Sequence, residues 1–257
     1  MKNHFYFSYF GNKRNEFKEL YPHIKNILDG DEIEYIIEPY CGSCAISCAI
    51  SQLYPKKFKY ILNDTDKNLI SLLKISQDKL KFIELNKEIN ELAKQVEGNK
   101  EEYLKIIKNN SLASYFIKSK IYNIRQGLFK TDYKYKPIDL TTCPIYDFLN
   151  SEEIILLNKD GFDVLEKYKD NSKCFIFLDP PYLFSENGYY DLTENKTTNI
   201  YEYCAKYDLK QMKSYIILIL NINWINRLIF RDYGIIEYDK KYETTKKKLI
   251  HGIISNK

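Results

Sequence analysis

Five consecutive apolar residues, Cys174–Leu178, run directly into Asp179-Pro180-Pro181-Tyr182. The run reads as a buried strand, and the two prolines end it, because each fixes φ and removes a backbone donor. What remains at the strand's carboxyl end is a rigid tip. There the Asp179 side chain and the neighbouring carbonyls are free to act as acceptors.

Similar short runs recur along the chain, at Ile33–Glu38, Phe58–Leu62, Ile154–Leu157, Tyr215–Leu220, Ile235–Tyr238 and Leu249–Ser255. Most are separated by longer helical stretches, the signature of parallel β-α-β units, whereas the last two follow each other closely and predict an antiparallel edge pair. Between Leu69 and about residue 130 the spacing turns helical and the charged stretch 85–108 shows no strand signal. The expected fold is therefore α/β: a Rossmann-like, doubly wound, mostly parallel sheet with an antiparallel last strand and a helical insertion. Residues 1–68 and 150–257 are expected to form one domain and residues 69–149 the insertion.

With 257 residues and 44% hydrophobic content the chain has a sizeable core, which excludes wholesale disorder. The charge of +4 permits nucleic-acid binding without arguing for it. No stretch approaches the roughly 20 apolar residues of a membrane span. The six cysteines fit free thiols in a reducing compartment, so the expected setting is cytoplasmic, in a microbial or viral context, and the Asn, Lys, Ile and Tyr bias fits an AT-rich genome. Cys41, Cys44 and Cys48 lack the further Cys/His pair that a zinc site requires, so no metal is expected and buried thiols account for them.

In a doubly wound sheet ligands bind at the strands' carboxyl ends. Glu38-Pro39-Tyr40-Cys41-Gly42 forms a strand-turn-helix junction there, with Gly42 allowing close backbone approach. Asn63-Asp64-Thr65-Asp66 follows the second strand, where a carboxylate binds ribose hydroxyls or caps the next helix. Asn158-Lys159-Asp160 ends the third run as a turn or as a ligand to an adenine edge. Lys118, Lys120 and Arg125, interleaved with Tyr115, Phe116, Tyr122 and Phe129, are nucleic-acid candidates. The lysines 240, 241 and 246–248 flank the last turn, as phosphate contacts or as a solvated tip.

Together these motifs resemble the Dam-type N6-adenine DNA methyltransferases over most of the chain. The resemblance implies S-adenosylmethionine as cofactor and DNA as partner, in a monomer or a homodimer. It makes Asp179, Pro180 and Tyr182 catalytic. It places Tyr9, Lys13, Glu38, Tyr40, Gly42, Asp64, Asp160 and Asp179 around the cofactor. Lys118, Arg125, Ser185, Asn187, Lys246 and Lys247 would then meet DNA, and the target adenine would leave the duplex. Cys44 stands where the family's loop usually has a second glycine, a departure that opens the alternative of a nucleic-acid-binding module with weakened cofactor binding. Methylation of RNA adenine or of cytosine N4 would use the same amine chemistry.

Overall fold

The computed structural model describes residues 5–7, 13–123, 128–129, 133–180, 200–241 and 248–257. Seven strands form the main sheet: β1 (Tyr35–Glu38), β2 (Lys59–Asn63), β3 (Glu153–Leu157), β4 (Cys174–Leu178), β5 (Tyr215–Asn221), β6 (Ile235–Lys241) and β7 (Lys248–Ser255). Their order is β3-β2-β1-β4-β5-β7-β6. The first five are parallel, and β7 runs antiparallel to both β5 and β6. The late pair does lie at the edge, but the last strand sits inside it and β6 forms the rim.

Among the described residues ten helices surround the sheet: α1 (Phe17–Asp29), α2 (Ala45–Leu53), α3 (Lys67–Ser76), α4 (Lys79–Gln95), α5 (Lys100–Ile106), α6 (Leu112–Ile121), α7 (Pro144–Ser151), α8 (Gly161–Tyr168), α9 (Ile200–Lys206) and α10 (Trp224–Ile229). Successive strand side chains point to opposite faces, so each apolar run feeds two cores. On β4, Phe175 and Phe177 join a cluster with Leu20, Ile24 and Leu28 of α1 and Ile46 and Ile50 of α2. Cys174, Ile176 and Leu178 join the opposite cluster with Phe162 and Leu165 of α8 and Tyr203 of α9. A strand between two helical layers must be apolar at every position, which is why Cys174–Leu178 shows no alternation. Phe82 and Ile89 of α4 and Phe116 and Ile117 of α6 belong to the first cluster, so the helices after β2 share a core with the sheet.

Candidate active site

The strand order reverses between β1 and β4, and both strands carry a carboxylate at the carboxyl end. Asp179 follows β4, and its Oδ2 lies 2.5 Å from the Lys13 ammonium, with side-chain exposures of 17% and 8%. Glu38 closes β1 and is buried, its Oε1 accepting the Ser47 N–H of the first turn of α2 at 2.8 Å. The amide at this helix start thus holds a carboxylate of the chain itself. Burial pushes the Glu38 carboxyl up, and the Asp179 charge adds to it. The Ser47 bond and the Lys13 charge oppose them, leaving it at about 7.

The turn after β1 has two residues in the left-handed region, Gly42 at φ 46° and Cys44 at φ 53°. It is pinned to β2 by the Cys41 N–H on the Asn63 carbonyl at 2.8 Å and by the Gly42 N–H on Asp64 Oδ2 at 3.0 Å. Asn63, fully buried, joins three loops: its Nδ2 donates to the Pro39 and Lys159 carbonyls, and its Oδ1 accepts the Lys159 N–H. Asn158 donates to the Asp64 and Thr65 carbonyls. The ends of β1, β2 and β3 are therefore one hydrogen-bonded rim.

The acidic residues on that rim divide their work. Asp66 caps α3 through the Asn68 and Leu69 amides and accepts the Tyr115 hydroxyl of α6 at 2.9 Å. Asp64 is left to the Gly42 and Asp66 amides, and burial raises its carboxyl despite those bonds. Asp160 caps α8 through the Phe162 N–H at 2.7 Å. Tyr40 packs edge-on against Phe162. Its hydroxyl is buried without a hydrogen-bond partner among the described residues, and burial, with Asp160 and Asp64 nearby, keeps it protonated. An orphan donor beside two carboxylates fits a nucleoside cofactor better than a sealed core.

Of the other expected contacts, Lys118 is exposed on α6. Tyr9, Arg125, Tyr182, Ser185, Asn187, Lys246 and Lys247 lie outside the described residues. Phe116 packs in the core and Tyr115 holds α6 to Asp66, the packing role among those open to these aromatics. One reading of a side chain changes. Lys240 is neither a phosphate contact nor part of a solvated tip: it is 13% exposed and paired with Glu16.

Sequence reasoning also missed Glu16, Ser47 and Gly161. Only Gly161 had a signal, as one of nine glycines in the chain. A Cβ there would come within 2.3 Å of the Tyr40 ring.

The family model described as D12 class N6 adenine-specific DNA methyltransferase matches residues 9–136. The chain belongs to this family. The matched stretch holds Lys13, Glu38, Tyr40, Gly42 and Asp64 and ends before Asp160 and Asp179. Type II methyltransferase M.CviBI of Paramecium bursaria Chlorella virus NC1A is 22% identical over 249 residues, covering 90% of this chain and 88% of the viral protein. Type II methyltransferase M2.LlaDCHI of Lactococcus lactis subsp. cremoris is 44% identical over 57 residues, 22% of this chain and 20% of that protein. Among solved structures, the rRNA methyltransferase AviRa of Streptomyces viridochromogenes covers 95% of this chain and 84% of its own, with a TM-score of 0.41 and 12% identity. As a D12 class member, the protein is an adenine-specific DNA methyltransferase with a Rossmann-like fold. Among the described residues no helix is long and apolar enough to cross a membrane.

Proposed function

We propose that the junction of β1 and β4 is the methyl-transfer site, with Asp179, Pro180 and Tyr182 as its catalytic residues. The observation that carries this reading is the Lys13–Asp179 ion pair next to buried Glu38, at the point where strand order reverses. S-adenosylmethionine, when bound, supplies the methyl as an electrophile on a sulfonium. Tyr9, Lys13, Glu38, Tyr40, Gly42, Asp64, Asp160 and Asp179 would hold it. Asp64 suits ribose hydroxyls, Asp160 Oδ2 an exocyclic amine, and Glu38 with Asp179 the cofactor's positive end.

The adenine N6 amine is a weak nucleophile because its lone pair is delocalised into the ring. Asp179 and the Pro180 carbonyl accept its two N–H bonds, which draws the nitrogen out of planarity and frees the lone pair. The charge developing on nitrogen strengthens both bonds, so they act mainly in the transition state. Lys13 pairs with Asp179 and fixes the direction of its carboxylate. Tyr182 stacks on the adenine once it has left the duplex. Residues 69–149 serve target recognition, and Lys118, Arg125, Ser185, Asn187, Lys246 and Lys247 contact DNA.

The turn with Cys44 at positive φ keeps the Cys44 N–H on the Cys41 carbonyl at 2.7 Å. An intact turn favours cofactor binding over a non-catalytic module, and titration calorimetry with S-adenosylmethionine tests it directly. The catalytic assignment is tested by tritium transfer from labelled cofactor to unmethylated DNA. Asp179→Ala is expected to lose at least ~10²-fold in rate, the scale of one positioned catalytic acceptor. Labelling equal to wild type would refute the role.

A further inference from the structure

Glu16 is a buried carboxylate that the proposed chemistry does not use. Its side chain is 5% exposed and meets three groups from the final hairpin: the Tyr238 hydroxyl and Lys240 ammonium of β6, and His251 Nδ1 of β7 at 3.0 Å. His251 is fully buried, with the Tyr238 ring edge-on to it. An ionised carboxylate only accepts hydrogen bonds, so Nδ1 carries the proton in this contact. Burial works to raise the Glu16 carboxyl, but the His251 bond and the charges of Lys13 and Lys240 outweigh it and bring the carboxyl down to about 2. Burial lowers His251 more than Glu16 raises it, so the ring is neutral at pH 7.

Glu16 lies one turn after Lys13, in a turn closed by the Glu16 N–H on the Lys13 carbonyl at 3.0 Å and the Phe17 N–H on the same carbonyl at 3.1 Å. The backbone that carries Lys13 is therefore anchored, within three residues, to strands from the far end of the chain. The Lys13 ammonium pairs with Asp179, and its charge also acts on Glu16. A buried carboxylate with a full set of donors, two of them cationic side chains or potential ones, holds a backbone turn more tightly than apolar packing alone.

We propose that Glu16 is a positioning residue for methyl transfer: clasped by Tyr238, Lys240 and His251, it fixes the turn that places the Lys13 ammonium on Asp179. The final hairpin is then a structural part of the catalytic centre. The inference rests on the assignment of Asp179 as the amine acceptor.

Removing Glu16 alone strands the buried Lys240 cation, so Glu16→Gln is paired with Glu16→Gln/Lys240→Met, in which the ion pair is replaced at similar volume and folding is expected to survive. Tyr238→Phe removes one neutral hydroxyl and leaves every charge in place. In each folded variant kcat is expected to fall, by ~10-fold or more for the Glu16 changes and ~3-fold for Tyr238→Phe, with KM for DNA unchanged. The Glu16→Gln effect should largely vanish in a Lys13→Met background, because the two residues act through one contact. Wild-type kcat in Tyr238→Phe and the double variant would overturn the proposal, as would full additivity with Lys13→Met. Asp179→Ala separates the two readings: if it retains activity, the acceptor assignment fails, whereas if it is inactive and the Glu16 variants are not, only the positioning role fails.

Discussion

At Cys44 the backbone makes a demand that the side chain does not suit. A φ of 53° places a Cβ in the left-handed region, at a cost of about 1–2 kcal/mol that glycine escapes. The thiol is fully buried beside Cys41 and Cys48, so its packing offsets part of that strain. Two substitutions separate the terms. Both Cys44→Ala and Cys44→Gly lose the sulfur, but only alanine keeps the strained Cβ. At ordinary positions near a helix, alanine is the more stable of the two by about 0.5–1 kcal/mol. Here the order is expected to invert, with glycine the more stable by about 1 kcal/mol in urea unfolding. An ordinary alanine advantage would mean that the turn relaxes out of the left-handed region.

At the scale of elements, every strand of the main sheet was readable from its apolar run, to within two or three residues at either end. For the central strands the reason is physical: a strand covered by helices on both faces must be apolar throughout, and prolines and acids mark where it stops. Helix α1 was not read, because Pro22 interrupts its pattern and no side chain caps its start. The proposed site was legible where the proposed chemistry calls for a particular residue type, as at Glu38, Asp64 and Asp179. It was illegible where a residue serves through a distant partner: nothing local to Glu16 announces His251, 235 positions away. Gly161 falls between these cases. It opens α8 against the Tyr40 ring, where a Cβ would lie 2.3 Å from the nearest ring carbon. Gly161→Ala therefore sets a helix-propensity gain of up to ~1 kcal/mol against an overpacking cost of ~1–3 kcal/mol. The clash should win. The expected outcome is a net loss of about 1–2 kcal/mol with weaker S-adenosylmethionine binding by calorimetry, and a double-mutant cycle with Tyr40→Leu should return a favourable coupling near 1 kcal/mol. A stability rise in Gly161→Ala would show that Tyr40 moves aside freely.

Across the whole molecule, largely buried ionisable groups run along the carboxyl end of the sheet from Glu38 through Asp179 and Lys13 to Glu16, Lys240 and His251, joining both ends of the chain. Such a row links folding and cofactor binding to pH. Glu38 ionises near 7 in the folded protein and near 4.5 when unfolded. Its stabilisation is complete below pH 4.5 and is lost as pH rises through 7. Glu16 has the opposite sign, since its folded value of about 2 makes its contribution present above pH 4.5 and lost as pH falls toward 2. His251, lowered by burial, adds stability as pH rises to its ordinary 6.5, so it partly masks the Glu38 slope in wild-type protein. The Glu38 share emerges by difference. Relative to wild type, Glu38→Gln should gain stability between pH 5 and 8, by on the order of 3 kcal/mol for a shift of this size. The same charge serves the proposed ligand. S-adenosylmethionine carries a net positive charge, so its affinity for wild type should rise as Glu38 ionises between pH 6 and 8. In Glu38→Gln the affinity should be lower and nearly flat over that range. Calorimetry at several pH values reads both quantities, and a pH-independent wild-type affinity would separate Glu38 from the cofactor while leaving its effect on stability intact.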